Sequence, residues 1–281
     1  MEQQEQFSTV IVPKTGWLDF HLKEVFRYRD LIFLFVKRNF VSQYKQTILG
    51  PAWALIQPLL TTVVFTVVFG RLAGLAAEGV PSFLFFMSGN IAWGYFSGCL
   101  TSTANTFTGN AAIFGKIYFP RLVSPISTVL TNLISFGIQF LLFIVFLVIY
   151  WIKGTVQPTL YALMLPLLLI QMAMLSLGVG IIISSLTTKY RDLKMLIGFG
   201  VQLWMYGTPV AYDIGIVPEK YLDLYMLNPM TPIINTFRQA FLGLGSFDLP
   251  HYLISWAVTL VVLFIGLMMF NRVEKTFMDT V

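Results

Sequence analysis

The fold is decided by residues 122–152, which read LVSPISTVLTNLISFGIQFLLFIVFLVIYWI. This stretch contains no Asp, Glu, Lys, Arg or His, and the same is true of residues 46–70, 79–115 and 154–188. A soluble fold would have to face water somewhere in each of these stretches. A bilayer core about 30 Å thick is crossed by roughly 20 apolar residues in a helix. The sequence therefore predicts an all-α integral membrane protein.

The overall composition agrees with a membrane location. Hydrophobic residues make up 57% of the chain and charged residues 11%, whereas soluble domains carry about 25% charged residues. The single cysteine, Cys99, excludes an internal disulfide and a cysteine-based metal site. His21 and His251 both lie near predicted span ends or the membrane interface, and no metal site is expected.

Six candidate spans follow from the apolar stretches, and the basic residues orient them. The spans are residues 50–70, 83–108, 122–150, 160–186, 195–212 and 251–270. The cytoplasmic face would carry Lys14, Lys23, Arg27, Arg29, Lys37, Arg38, Lys45, Lys116, Arg121, Lys189, Arg191, Lys194, Arg272 and Lys275; the external face would carry Arg71, Lys153, Lys220 and Arg238. Cytoplasmic loops are enriched in Lys and Arg, so both termini are predicted in the cytoplasm. This bias also explains the net charge of +5 without a nucleic-acid partner.

Residues 1–49 are predicted to form a cytoplasmic segment ahead of a transmembrane domain over 50–281. The segment does not have the features of a signal peptide, which fits a bacterial cytoplasmic membrane. Residues 17–40 alternate basic and apolar or aromatic side chains at helical spacing, which predicts an amphipathic helix lying flat on membrane lipid. It is either a simple surface anchor or a platform that also contacts a cytoplasmic partner.

The region between the fifth and sixth spans, residues 213–250, is too apolar for a plain loop. Thr231 is predicted to cap a helix with Pro232 at its first position, and Gly243 to end it. Such a helix is too short to cross a bilayer, so it is predicted to be re-entrant and to line a conduit. The alternative is an external helical hairpin on the surface.

No acid, base or nucleophile suitable for catalysis occurs within the spans, and no buried carboxylate, lysine or histidine is expected there. Ion-coupled carriers and membrane enzymes generally need such groups. Residues 109–116 resemble a phosphate-binding loop only superficially, because the spacing is one residue too long and Ile117 stands where Ser or Thr belongs. We therefore predict no catalytic residue and no cofactor in this chain; ATP and Mg²⁺ would be bound by a separate polypeptide.

Two cytoplasmic turns are candidates for receiving energy from that partner. Around residues 110–121, Ile113, Phe114 and Ile117 would form a short apolar face, with Lys116 beside it, that fits a groove on another protein. Residues 189–194 contain Tyr190, Arg191 and Asp192 in a strongly charged turn. The alternative interpretation is that both turns are ordinary solvated loops.

Several short motifs occur in a familiar order. They are the basic N-terminal helix, YKQTILGPAW at residues 44–53, QPL at 57–59, KYRDL at 189–193, TPV at 208–210, LNPM at 227–230 and Arg238. Over nearly the whole chain, this pattern resembles the ABC-2 type permeases that export O antigen, capsular polysaccharide or teichoic acid.

This resemblance implies a working unit of two copies of this chain and two copies of an ABC ATPase. The N-terminal helix, with Arg27, Arg29 and Asp30, would face the ATPase. The segment at about 110–121 would be the coupling helix, and Tyr190, Arg191 and Asp192 would add a further contact. The 213–250 region would shape the exit of a channel between the protomers, which would carry a glycan on its lipid carrier.

Aromatic side chains are candidates for lining the channel, because their flat faces and polar tips suit a sliding sugar chain. They are Trp93, Tyr95, Phe96, Trp204, Tyr206 and Tyr212. Gly94 and Gly98 have the spacing of a close helix contact, either within one protomer or between two. Two alternative functions stay open: an ABC-2 exporter of a small drug or lipid, and a membrane glycosyltransferase or acyltransferase. The latter would use the external acidic residues Asp213, Glu219, Asp223 and Asp248.

Overall fold

The computed structural model describes residues 22–114, 116, 119–190 and 192–280, and within these ranges it contains helices and turns but no strand. The first part of the predicted amphipathic helix, together with Ile117 and Arg191, lies outside the described residues. The helices are α1 (Leu22–Arg27), α2 (Arg29–Tyr44), α3 (Trp53–Phe65), α4 (Ser82–Ala104), α5 (Thr106–Phe114), α6 (Val123–Ile152), α7 (Leu165–Lys189), α8 (Leu193–Tyr206), α9 (Glu219–Met226), α10 (Met230–Leu242) and α11 (Leu249–Thr280).

Within the described residues, four helical segments are long and apolar enough to cross a membrane. They are Gly50–Leu72, in which α3 continues into a π-helix, and Val123–Ile152, Leu160–Thr188 and Leu249–Val273. The second predicted span, 83–108, corresponds to α4, which has 23 residues and spanning length, but its Ser, Thr, Gly and Asn residues reduce its hydropathy. The remaining predicted span, 195–212, corresponds to the 14-residue α8. At about 1.5 Å per residue, α8 reaches roughly 21 Å. The count of six spans therefore stays a prediction.

Several predicted helix ends were wrong. The span predicted to reach residue 212 ends as a helix at Tyr206, because Gly207 and Pro209 follow directly and a proline cannot donate the next helical hydrogen bond. The span predicted over 83–108 breaks at Asn105, which has φ −93° and ψ 9°. The helix predicted within 110–121 is α5, which begins earlier, at Thr106, and ends at Phe114.

The N-terminal helix is divided in two. The helix is interrupted at Tyr28, which has φ −91° and ψ 24°. The second part, α2, then continues to Tyr44 rather than ending near residue 40. One face of α2 buries Ile32, Phe35 and Val36. These side chains belong to an apolar cluster, here called the α2-end cluster, whose buried members are Val25, Ile32, Phe35, Val36, Phe107, Phe114, Phe119, Leu122, Val123, Ile181 and Phe270.

The centre of the bundle is α4. It packs against α3, α6, α7, α8 and α10, and 15 of its 23 residues are buried. By contrast, only 8 of the 30 residues of α6 are buried, and its outer face carries exposed apolar side chains such as Leu141 and Val145. An apolar outer face around a small-residue centre is the arrangement expected of helices embedded in lipid.

The most buried of the short helices is α10, in which 11 of 13 residues are buried. The predicted cap at Thr231 was wrong: the helix begins at Met230, whose N–H donates to Asn228 Oδ1 at 3.2 Å. Asn228 can act in this way because its side chain reaches forward to the first free N–H groups of the helix. The predicted end at Gly243 is confirmed, since Gly243 has φ 70°. The re-entrant assignment stays a prediction.

A polar groove along α4 and α6

Two uncharged polar stripes run along neighbouring helices. On α4 the stripe comprises Asn90, Gly94, Ser97, Thr101 and Asn105; on α6 it comprises Ser124, Thr128, Asn132, Ser135 and Gln139. Residues at these spacings lie on one face of a helix. Because α4 and α6 pack together, the two stripes meet inside an otherwise apolar bundle.

The stripes border two adjoining cavities. The first has a volume of about 620 Å³, and α3 contributes Gln57 and Thr61 to its wall. The second, about 530 Å³, lies towards α2 and α5. Both cavities are lined by Gln43 and Asn132, so they adjoin there, and together they are here called the polar groove.

The chemistry of the polar groove is dominated by amide and hydroxyl groups. Among the described residues that line it, Arg38 is the only one with an ionisable side chain other than the tyrosines. An amide both donates and accepts hydrogen bonds, and so does a hydroxyl. The groove can therefore exchange hydrogen bonds with a polar, uncharged ligand along most of its length.

Short side chains on α4 keep the groove open beside the amides of α6. A Cβ atom built on Gly98 would lie 2.7 Å from Asn132 Oδ1, so this glycine makes room for the amide. Asn132 Nδ2 donates to Thr128 O at 2.9 Å within its own helix, while Asn90 Nδ2 donates to Thr62 Oγ1 at 3.4 Å across to α3. For Gly98, the close contact therefore lies within one protomer.

A buried arginine lies just beyond the end of the groove that is marked by Asn90. Arg238, on α10, is only 2% exposed. It donates hydrogen bonds to Pro209 O at 2.6 Å, Val210 O at 2.8 Å and Tyr212 O at 3.3 Å, which are carbonyls of the irregular backbone after α8. Its guanidinium carbon lies 3.7 Å from the Phe85 ring centroid, a cation–π distance. The sequence-based assignment of Arg238 to an external basic set missed this burial.

The predicted channel aromatics do not share one surface. Trp93 and Tyr95 line the larger cavity. Phe96 is fully buried and packs against Trp93 and Trp204, with ring centroids 5.3 and 5.0 Å apart. Trp204 Nε1 donates to Asn228 Oδ1 at 2.9 Å, which joins α8 to the start of α10.

The other two aromatic candidates lie at and beyond the end of α8. Tyr206 is half-exposed, and Tyr212 donates its hydroxyl hydrogen bond to Tyr206 O at 2.9 Å. The structure therefore brings two of the six candidates to the groove and groups Phe96 and Trp204 behind Trp93. No finding tests whether any of them contacts a substrate, and that role stays a prediction.

The predicted ATPase contacts divide into exposed and buried residues. Arg27, Arg29, Asp30, Lys116 and Asp192 are exposed, and Arg29 Nε lies 3.9 Å from Asp30 Oδ1. Tyr190 is also exposed, whereas Ile113 is half-buried.

Phe114 differs from the other contact candidates, because it is 5% exposed and packs in the α2-end cluster against Phe107 and Phe119. A charged side chain at Phe114 would therefore disrupt the α2-end cluster within this chain, whether or not a partner protein is bound. The contact roles themselves stay predictions.

Three of the four acidic residues considered for an enzyme, Asp213, Asp223 and Asp248, have local structural partners, and Glu219 lies in the first turn of α9. Asp213 Oδ2 accepts a hydrogen bond from Gly215 N at 3.0 Å and so shapes its own turn. His251 lies between two carboxylates, with Nδ1 at 2.6 Å from Asp248 Oδ2 and Nε2 at 3.5 Å from Asp223 Oδ1. This row joins α9 to the start of α11.

Sequence reasoning missed both the polar stripes and the buried arginine. The stripes had a readable signal, because their residues recur at helical spacing within charge-free segments. Arg238 had no such signal, since its burial depends on carbonyls far away along the chain.

A helical membrane bundle with a polar groove beside its central helix is compatible with a membrane permease. Residues 30–242 match the ABC-2 type transporter family, so the chain belongs to that family.

Its relatives include the O-antigen export system permease protein RfbA of Klebsiella pneumoniae, which is 27% identical over 251 residues, covering 89% of this chain and 94% of the relative. The protein of the same name from Myxococcus xanthus is 25% identical over 265 residues, covering 92% and 98%. The polysialic acid transport protein KpsM of Escherichia coli is 22% identical over 246 residues, covering 86% and 93%.

Proposed function

We propose that this chain is the permease subunit of an ATP-driven exporter that moves a lipid-linked polysaccharide across the bacterial cytoplasmic membrane. The polymer would be of the O-antigen, capsule or teichoic acid type. The observation that carries this proposal is the polar groove, which is lined mainly by amides and hydroxyls between apolar helices. The functions of the relatives, O-antigen export and polysialic acid transport, support the substrate class.

The groove has the chemistry that a moving sugar chain needs. Each sugar hydroxyl can exchange hydrogen bonds with Asn90, Asn132 or Gln139, and a typical hydrogen bond contributes only about 0.5–1.5 kcal/mol. Similar weak sites along the path allow the chain to advance without a deep trap. Trp93 and Tyr95 add aromatic surface for the C–H faces of the sugars.

The assembly would be a homodimer bound to two ATPase subunits. The first membrane segment, Gly50–Leu72, borders the groove but is only 11% buried, so a second copy of the chain could close the path on that side. The basic and exposed residues near α2 and α5 would face the ATPase, with Lys116 and Asp192 among the contacts. Both termini would then be cytoplasmic, in keeping with the distribution of Lys and Arg.

The proposal is tested by reconstituting the chain with its ATPase in liposomes that contain a lipid-linked glycan. We expect the glycan to become accessible to a membrane-impermeant glycosidase in the opposite compartment only when both proteins and ATP are present. ATP-independent accumulation by the permease alone would contradict it. Transport of a short-chain lipid without transport of the glycan would instead support the small-lipid exporter.

A further inference from the structure

The part of the polar groove next to α2 differs from the rest in charge. In the described part of the chain, the larger cavity is lined by no Asp, Glu, Lys, Arg or His side chain, whereas the 530 Å³ cavity is lined by Arg38 together with hydroxyls and amides. We propose that this smaller cavity, here called the headgroup pocket, binds the phosphate of a lipid-linked glycan through Arg38. This inference rests on the proposed function and names the part of the substrate that the pocket recognises.

The local structure presents Arg38 as an anion-binding group. Its Nε and Nη2 donate to Asn39 Oδ1 at 3.2 and 3.0 Å, and its guanidinium carbon lies 4.4 Å from the Phe35 ring centroid. These contacts restrain the guanidinium plane, and its remaining donors have no hydrogen-bond partner among the described residues. A guanidinium is permanently charged and matches the geometry of phosphate oxygens.

The depth of the pocket also suits a headgroup. The outer side of α1 and α2 exposes Phe26, Phe33 and Leu34 beside basic residues, a combination that favours the boundary between headgroups and acyl chains. Arg38 lies on the same helix. A volume of about 530 Å³ is within the usual range of roughly 300–1,000 Å³ for small-ligand sites.

The order of charges along the groove matches the order of groups in such a substrate. A lipid-linked glycan carries a phosphate charge where the lipid joins the first sugar, and where its sugars are neutral no further charge follows. Among the described residues, the headgroup pocket has one arginine, at the α2 side, and it adjoins the uncharged cavity at Gln43 and Asn132. The phosphate would thus be held at one end while the sugars lie along the amides.

The pocket is also built partly from α5, the predicted coupling helix. Gly109 and Asn110 line it, and Asn110 Nδ2 donates to Ser124 Oγ on α6 at 2.9 Å. A displacement of α5 by the ATPase would therefore change the pocket wall. This places headgroup recognition beside the element through which ATP hydrolysis would act.

The first test measures ATP hydrolysis by the permease–ATPase complex in nanodiscs, titrated with a polyprenyl diphosphate-linked oligosaccharide. Arg38→Gln should raise the glycolipid concentration for half-maximal stimulation about tenfold, and Arg38→Lys should raise it less. The matched control is Lys37→Gln, which removes the same charge from the neighbouring exposed position. It should shift the half-maximal glycolipid concentration less than twofold. Equal shifts for Arg38→Gln and Lys37→Gln would overturn the inference.

The second test separates the two sources of phosphate. A glycolipid of the same sugars without phosphate should stimulate wild type and Arg38→Gln at the same concentration. Added phosphatidylglycerol should leave the wild-type titration unchanged. If phosphatidylglycerol competes with the glycolipid in wild type but not in Arg38→Gln, the pocket belongs to bilayer phospholipid and the substrate assignment is overturned.

The third test fills the pocket without changing its charge. A Cβ atom on Gly109 has no neighbour within 4 Å, so Gly109→Leu can project into the pocket while replacing glycine by a better helix former. It should raise the half-maximal glycolipid concentration at least fivefold, and Gly109→Ala less than twofold. Equal behaviour of the two variants would refute the pocket even if Arg38→Gln failed to assemble. A wild-type complex that responds to no lipid-linked glycan would instead refute the proposed function.

Discussion

The α7–α11 contact and the α4–α6 contact are two opposite ways of joining helices in one apolar bundle. Between α7 and α11 the backbones touch: a Cβ atom on Gly178 would lie 2.8 Å from Leu263 Cα, and one on Gly266 would lie 2.7 Å from Gly178 O. The α4–α6 contact instead borders a cavity of about 620 Å³. Both contacts lie in stretches of their helices without charged side chains, so hydropathy alone does not distinguish the closed contact from the open one.

The difference lies in where the polar side chains find their partners. In the closed contact, buried Gln171 Nε2 donates to Ser255 Oγ across the helices at 2.7 Å. In the open contact, Asn132 Nδ2 donates to Thr128 O within its own helix. A bond between two buried side chains thus joins the first pair across the helices, whereas the Asn132 amide bonds within its own helix and lines the cavity. Small residues allow two helices to come into backbone contact. Polar stripes whose hydrogen bonds lie within their own helix instead allow a path beside the helices.

The largest effect is expected from Gly178→Leu in the closed contact. Its side chain would collide with the backbone of α11, which cannot move aside as a side chain could. We expect almost no monodisperse protein in detergent. Gly137→Leu, on α6, is the matched control because a Cβ atom there has no neighbour within 4 Å, and it should purify normally. Similar yields of the two variants would show that α7 and α11 are not in backbone contact.

A smaller but substantial loss of thermal stability is expected from Arg238→Met, which tests how the groove is closed beyond Asn90. The change leaves the buried carbonyls of Pro209 and Val210 without their donor, and each orphaned group costs about 1–3 kcal/mol. The melting temperature should fall by roughly 5–10 °C. Arg238→Lys should recover only part of this loss, because an ammonium cannot reproduce the planar fork.

The control for this prediction removes a cation from an exposed position. Lys153→Met lies in the turn after α6 and should change the melting temperature by less than about 1 °C, since isolated surface charges contribute little. If Arg238→Met were as stable as Lys153→Met, the buried guanidinium would not be the support of the backbone after α8.

The sequence predicted the class of fold because a long charge-free stretch has few physical solutions. Residues 122–152 and 160–188 are too apolar to face water, and the structure has membrane-length helices there. Gly243 was also predictable, because ending a helix in a left-handed conformation favours glycine.

Other features could not be predicted because they depend on distant partners. The fate of Arg238 is set by carbonyls after α8 and by Phe85 on α4. From the sequence, Phe114 was predicted to lie on an apolar face available to a partner. In the structure it is buried in the α2-end cluster, whose members come from several helices. The groove residues recur at helical spacing, but the candidate channel residues were chosen for their aromatic rings, whose flat faces suit a sliding sugar chain.

In the open contact, Gln139→Leu should reduce transport while leaving the fold intact. The side chain lines the larger cavity and is not needed to close a helix contact, so the loss is that of one hydrogen-bonding site for the glycan. At about 0.5–1.5 kcal/mol, this corresponds to a two- to tenfold lower export rate. Gln139→Asn keeps the amide and should stay within twofold of wild type. A normal export rate for Gln139→Leu, with normal assembly, would remove this residue from the path.

The smallest effect is expected where the open contact is narrowest. Gly98→Ala brings a methyl group to 2.7 Å from Asn132 Oδ1, whereas in Gly94→Ala the nearest atom is Gln139 Oε1 at 3.9 Å. The Asn132 amide is the end of a side chain and can rotate away, so Gly98→Ala should lower stability by less than about 1 kcal/mol. Export should nevertheless fall two- to threefold, because the displaced amide enters the cavity, while Gly94→Ala should export normally. Equal export by the two alanine variants would mean that the space between Gly98 and Asn132 does not limit passage of the glycan. The path would then have to run along the α3 side of the cavity, past Gln57 and Thr61.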